Sequence, residues 1–489
     1  MDHDDCGDRT GRFAAYLGDL ASVLGDGRRV GPLTSYCTGL LLPSDRKSVE
    51  PMAALTAPDR TAAQHQSMLH FVGQGDWSDA AVLERIRAAV LPRLQAHGAI
   101  SAWILDDTGF PKKGKHSVGV ARQYCGQLGK QDNCQVAVSL SVANDHASLP
   151  VAYQMYLPEA WATDAERRAK AGVPETITFK TKPQIALDQL AWACDAGLPR
   201  GVVLADAGYG AEAKFRSGIS ALQLRYVAGI KSTTNVWAPG TSALPPPAYS
   251  GRGRRPIRPL HDDMNRPVGV ERLALSLPKS SWRNITWREG SNANLSGRFA
   301  RVRVRPAHDR IAVAACRGGI KPKAATETIT QEWLLIEWPE DEMAPTKFWL
   351  STLDETVTFV HLVRMTKLRW RIERDYLELK QEIGLGHFEG RGWRGFHHHA
   401  TLCIAAYGFL VAERAAFPPG RRVATLSSKS LPFPKVTGHG ALPIRTERHV
   451  PDSIATLRRD IAEALVATLM RCPCCGQLAA AASSNRRRS

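Results

Sequence analysis

Two short apolar runs that each stop on an acid constrain this chain most. SAWILDDT (residues 101–108) ends in two aspartates, and GVVLAD (residues 201–206) ends in one, with Gly208 and Gly210 close behind. Runs this short and apolar read as strands. In open α/β sheets functional groups gather at the carboxyl ends of such strands. One strand-end acid is commonly structural; two on the same predicted sheet point to a site.

The surrounding pattern supports a mixed α/β fold. Cys134 to Asn144 and Leu149 to Pro158 are β-rich and joined by a turn-like Asp145-His146-Ala147-Ser148. Lys182 to Ala196 reads as an amphipathic helix, residues 211–222 as another helix, and Arg225 to Ile230 as a further strand. Residues 1–95 read as helical and are placed as a DNA-binding region by position alone; Ser78 offers a good N-cap for a helix reaching Leu94. Residues 96–234 form the first part of a core. Ala238 to Pro256 is rich in proline and glycine and opens a β-rich basic insertion over residues 235–345. Residues 346–400 return to the core, with one long polar helix from Asp354 to Ile383, and residues 401–489 make a helical C-terminal region with a basic tail.

Charge narrows the partner. Lys plus Arg number 64 against 47 Asp plus Glu, a net charge of +17, which fits a polyanion. The longest uncharged apolar run, Thr401 to Ala412, is far short of the roughly 20 residues that span a bilayer. With an acidic N-terminus and mostly scattered cysteines, the expectation is a cytoplasmic, nucleoid-associated protein without a membrane partner. Nucleic acid is the working partner. Residues 251–310 hold 14 Lys/Arg and 5 Asp/Glu, and within them Arg301, Arg303 and Arg305 alternate onto one strand face, a geometry suited to tracking phosphates. Lys112, Lys113 and Lys115 form a second basic cluster beside the first acid. Trp282, Trp287 and Trp349 are candidates for base stacking.

A third acid lies on a predicted helix. At about 100° per residue, Arg369, Glu373, Tyr376 and Lys380 share one stripe, with Glu378 and Glu382 opposite. A carboxylate flanked by two cations suits a metal and phosphate site, although i,i+4 pairs on a solvated face give the same pattern. Cys472-Pro-Cys-Cys lacks a second cysteine pair at zinc spacing. His397-His398-His399, taken to open an apolar helix, cannot all face one ion.

Taken together, these segments resemble the DDE transposases of bacterial insertion sequences, in the group with a Tyr-x2-Arg-x3-Glu-x6-Lys signature. Arg369, Glu373 and Lys380 match its last three positions, and Thr366 stands at the Tyr position. Asp107-Thr108 resembles the first catalytic Asp, residues 204–210 (LADAGYG) the second, and residues 106–140 are typical of one subfamily. The resemblance implies an RNase H-like mixed sheet with flanking helices and a mostly β insertion before the Glu helix. It implies Asp107, Asp206 and Glu373 as catalytic metal ligands for two Mg²⁺ ions, with Mn²⁺ as a possible substitute. Asp106 is the rival for the first position, since neighbours on a strand face opposite ways. Arg369, Lys380, Lys112, Lys113, Lys115, Arg301, Arg303 and Arg305 are the expected DNA contacts. The implied activity is cutting at the element's terminal inverted repeats and joining the freed 3′-hydroxyl to target DNA, as a homodimer on double-stranded DNA. The helix from Ser453 to Met470 would serve either as a dimer contact or to close the chain's own core. Two readings compete: a catalytically silent DNA-binding descendant, and a structure-specific nuclease on the same core.

Overall fold

Trp103, Ile104 and Leu105 follow one another without a polar residue because the strand they belong to, β1 (Ala102–Pro111), is covered on both faces; all three are fully buried. The computed structural model describes residues 3–241, 252, 266–289, 294–307, 331–417 and 453–469. They fall into two units, one drawn from residues 1–101, 106–189 and 370–489, the other from residues 102–105 and 190–369.

In the first unit, helices α1 (His3–Ala21), α2 (Val30–Leu41), α3 (Val49–Thr56), α4 (Thr61–Gly73) and α5 (Asp79–Gln95) come first. Ser78 caps α5 as its sequence predicts, its hydroxyl accepting from the Ala81 N–H. Strands β2 (Ala121–Cys125), β3 (Lys130–Ala143) and β4 (Ser148–Met155) follow, then α6 (Glu159–Ala162), α7 (Ala165–Ala171) and α8 (Lys182–Asp195). β3 is antiparallel to β2 along its first half and to β4 along its second. It is also tied to both flanks of β1: Ser101 N–H donates to Ala143 O and Lys112 N–H to Asn133 O, each at 2.9 Å. Late in the chain come α13 (Trp370–Glu378), α14 (Trp393–Ala416) and α15 (Ile454–Thr468). From Ala400 to Glu413 every residue of α14 is buried, because α2, α4, α5, β4 and α15 all pack on it. This explains why its sequence is apolar all round rather than striped.

The second unit begins with the first four residues of β1, which run parallel to β5 (Val202–Ala205) in the register Ala102↔Val202 to Ile104↔Leu204. β5 is in turn parallel to β6 (Tyr226–Ile230), with α9 (Ala207–Gly210) and α10 (Ala213–Ala221) between them. After β7 (Asn235–Trp237), β8 (Val268–Gly269) and α11 (Val270–Ser276), the strands β9 (Arg283–Glu289), β10 (Asn294–Pro306), β11 (Glu332–Trp338) and β12 (Lys347–Ser351) are antiparallel neighbours, and β12 closes on β6. Strands parallel in β5–β6 and antiparallel in β6–β12, with helices between and around them, make the mixed α/β fold that the sequence leads one to expect.

Two expectations change, and one open alternative is decided. The long helix from Asp354 to Ile383 is two: α12 (Phe359–Lys367) starts where the Thr358 hydroxyl accepts from His361 N–H. It ends where the Leu368 N–H is shared between Arg364 O and Met365 O, a tightened last turn. α13 then runs into a wider π-type turn at Leu379–Ile383. The three histidines do not open α14, which starts at Trp393; burial pushes each of them down to about 4, so they are neutral packing groups. The apolar stripe of α15 (Ile454, Leu457, Ile461, Leu465) is buried within the chain, and Arg458 bonds Glu382 and Leu41 O, so that stripe closes the chain's own core. Cys472, Cys474, Cys475, most of the proline-rich entrance and the basic tail lie outside the described residues.

Candidate active site

The first unit carries Asp107 and Glu373. Asp107 is half-buried on β1, and its Oδ2 accepts from Lys182 Nζ at 3.0 Å. The Asp107 N–H donates to Asp106 Oδ1 at 2.9 Å, so the rival carboxylate folds back on its own backbone. Lys182 is the first residue of α8, whose Gln189 side chain donates to Val138 O of β3 and sets where the helix starts relative to the strand. The Lys182 ammonium also lies 6.0 Å from the Tyr156 ring centroid. Sequence reading placed Lys182 on a helix but gave it no role. Nothing local marks it out, because its partner is 75 residues away in the chain.

Glu373 is exposed on α13, and one turn later Tyr376 is buried. The Tyr376 hydroxyl donates to Asp106 O at 3.2 Å and shares a hydrogen bond with Ser139 Oγ at 2.7 Å. Burial, followed by the charges of Asp106 and others including Asp107, holds that phenol well above its ordinary range, so it stays a neutral donor. Lys380, a turn further on, donates to Gly109 O at 2.7 Å and to Gln127 Oε1 at 3.1 Å. Its ammonium is pushed down to about 8 by burial. Two side chains of one helix stripe therefore clamp the segment Asp106–Gly109. The opposite stripe packs inward: Asp375 accepts from Ser148 at 2.6 Å and from Tyr407 at 2.8 Å, and Glu378 from Tyr407 at 3.0 Å and from Arg374 at 2.5 Å.

Asp206 belongs to the second unit, directly after β5. It caps the short helix α9, with Oδ1 accepting from Gly208 N–H at 2.9 Å and Tyr209 N–H at 3.2 Å. Gly210 behind it and Gly229 of β6 are sterically required. A Cβ on Gly210 would lie 2.7 Å from Ala228 Cβ and one on Gly229 2.7 Å from Ala207 N, so this turn presses directly on β6.

The predicted basic contacts divide. Lys113 and Lys115 are exposed, while the Lys112 ammonium is committed to Phe388 O at 2.7 Å. Arg301, Arg303 and Arg305 do lie on one face of β10, but each bonds a backbone carbonyl, of Val357, Gln331 and Thr241 respectively. Arg301 and Arg303 stack on Trp333 at 4.3 and 5.0 Å. Trp282 packs edge-on against Trp338 and Trp287 against Phe299, while Trp349 lies beside Lys367. Arg369 is half-buried in the second unit. Thr366 at the signature's Tyr position is buried, its hydroxyl donating to Leu362 O.

Carboxylates are hard oxygen donors, the chemistry Mg²⁺ selects. Among the described residues no three acidic, histidine or cysteine side chains are gathered closely enough to hold a metal ion. Asp107 pairs with Lys182 at 3.0 Å.

The described residues thus carry acids directly at or after the strands β1 and β5 and a further carboxylate on the late helix α13. Residues 19–294 match the family described as DDE superfamily endonuclease, and residues 183–409 match the transposase DDE domain. The chain belongs to the DDE superfamily endonuclease family. It is 31% identical over 188 residues to the probable transposase for insertion sequence element IS701 of Microchaete diplosiphon, covering 38% of this chain. The match spans 45% of that relative's length. A piggyBac transposase synaptic complex with hairpin DNA is 9% identical, with a TM-score of 0.33 over 90% of this chain and 64% of that one, a likeness too low to carry an argument.

Proposed function

We propose that the chain is an insertion-sequence transposase that cuts at the element's terminal inverted repeats and joins the freed 3′-hydroxyl to target DNA, acting as a homodimer on double-stranded DNA. Asp107, Asp206 and Glu373 are its metal ligands. The observation that carries this reading is the clamp of α13 on β1. Tyr376, one turn after Glu373, donates to the carbonyl of Asp106, the residue before Asp107. Helix and strand-end acid are thereby held in one fixed relation.

Two Mg²⁺ ions, or Mn²⁺ in their place, would activate the attacking oxygen and stabilise the leaving oxygen of an in-line displacement. The chain's own residues do the positioning. Ser139 and Tyr376 fix the Asp106 carbonyl, Lys380 fixes that of Gly109, and Lys182 orients the Asp107 carboxylate. Lys113 and Lys115 supply exposed cations close by in sequence for backbone phosphates. The test is divalent-dependent cleavage of a terminal-repeat duplex by purified protein. Asp107→Asn, Asp206→Asn and Glu373→Gln should each abolish cutting while still binding the duplex. Wild-type cutting by Glu373→Gln would overturn the assignment.

A further inference from the structure

The hairpin of β2 and β3 presents an aromatic side chain to solvent where an isolated strand edge would be expected to hide one. Tyr124 is 59% exposed and Leu128, at the turn, 41%. The alternation of β2 explains the direction. Cys125 points inward and is fully buried, whereas Arg122 and Tyr124 point outward together. The inward side is seated tightly on β1, since a Cβ on Gly109 would lie 2.8 Å from Cys125 Sγ. Lys380 joins the turn to the strand by bonding both Gln127 Oε1 and Gly109 O. Tyr124 is therefore carried on a rigid ribbon anchored two residues beyond Asp107.

The charge around it is mainly positive. Residues 111–133 contain Lys112, Lys113, Lys115, Arg122 and Lys130 against a single acid, Asp132, which pairs with Lys130 at 3.4 Å. The outward face also carries Asn133, opposite Arg122, and its amide donates to the carbonyls of Lys112 at 2.6 Å and Gly114 at 2.9 Å. The same face that shows Tyr124 thus holds the loop bearing the exposed Lys113 and Lys115. The exposed cations Lys113, Lys115 and Arg122 disfavour an apolar protein partner; a π-face beside phosphates matches both features.

From this we infer that the β2–β3 hairpin is a DNA-docking ribbon on which Tyr124 stacks against an unpaired base, with Arg122, Lys113 and Lys115 on the adjoining phosphates. The inference rests on the transposase reading above and adds to it a residue that engages DNA bases. Opening of a few base pairs at the cut end would supply the unstacked base, and Tyr124 would hold it.

The experiment uses full-length protein and a short duplex with 2-aminopurine in a two-nucleotide bulge, alongside the fully paired duplex. Wild type and Tyr124→Phe should quench the bulged probe. Tyr124→Ala should lose the quench and about tenfold in affinity for the bulged duplex, from the loss of one stacked base, with paired-duplex affinity unchanged. Arg122→Ala and Lys113→Ala should weaken both duplexes and flatten the salt dependence. Because Tyr124 is exposed, the alanine variant should keep the wild-type circular dichroism. Equal quenching and affinity for Tyr124→Ala and wild type would overturn the stacking role while leaving the metal-site reading to its own cleavage test. Failure of wild type to bind either duplex would overturn both.

Discussion

The ammonium of Lys182 lies 3.0 Å from Oδ2 of Asp107, and both side chains are only about a quarter exposed, at 27% and 26%. The carboxylate proposed as a metal ligand is thus charge-compensated by the chain itself. A divalent cation arriving at Asp107 must compete with this ammonium, for which the Tyr156 ring offers a neighbouring seat.

Replacing the lysine should therefore tighten metal binding. For Lys182→Met, calorimetric titration with Mn²⁺ should give about two- to fivefold higher affinity, the range expected of a partly exposed ion pair. Asp107→Asn should weaken it. An unchanged or lower affinity in a folded Lys182→Met protein would show that the pair does not oppose the metal.

Tyr376 should matter more for turnover than for DNA binding. Tyr376→Phe keeps the buried ring but removes the hydroxyl that joins Ser139 to the Asp106 carbonyl. Urea unfolding should show a loss of about 1–2 kcal/mol, the cost of a buried hydroxyl network left incomplete. Cleavage kinetics should show kcat lowered with KM for DNA near the wild-type value. An unaltered kcat would count against the clamp.

The cluster behind α13 makes stability depend on pH. Burial raises Asp375 to about 6, opposed by its hydrogen bonds from Ser148 and Tyr407. A carboxyl raised on folding binds more protons in the native state than in the unfolded one. Its contribution is fully present below the unfolded value near 4 and is lost as pH rises through about 6. Thermal melts of Asp375→Asn should accordingly lose this downward trend between about pH 4 and pH 6 relative to wild type. Parallel Tm profiles for the two proteins would contradict the assignment.

Arg12 and Glu413 test the helical part of the first unit. Glu413 on α14 is 2% exposed and accepts a bidentate pair from Arg12 on α1, with Nη2–Oε2 at 2.7 Å. Arg12→Met leaves a buried carboxylate without that partner and should cost about 3–5 kcal/mol in urea unfolding. Arg12→Met combined with Glu413→Gln should recover part of the loss, because the stranded charge is gone. Absence of any recovery would place the cost in packing rather than charge.

Much of this architecture is local and was readable along the chain. Ser78 before an apolar 3.6-residue repeat foretells α5, the apolar run ending in Asp106-Asp107 foretells β1, and GVVLAD foretells β5 with an acid at its end. Periodicity and capping depend on residues a few positions apart, so they survive in a bare string of letters. The stripe of Tyr376 and Lys380 opposite Glu378 was legible for the same reason, although the break at Leu368 was not. Long-range pairing decided the rest. Lys182 finds Asp107 across 75 residues, Tyr376 finds Asp106 across 270, and Arg301 and Arg303 spend their guanidinium groups on carbonyls and Trp333 rather than standing free. Which partner a charged side chain meets is set by how strands and helices stack after the core closes. No spacing within one element records that choice.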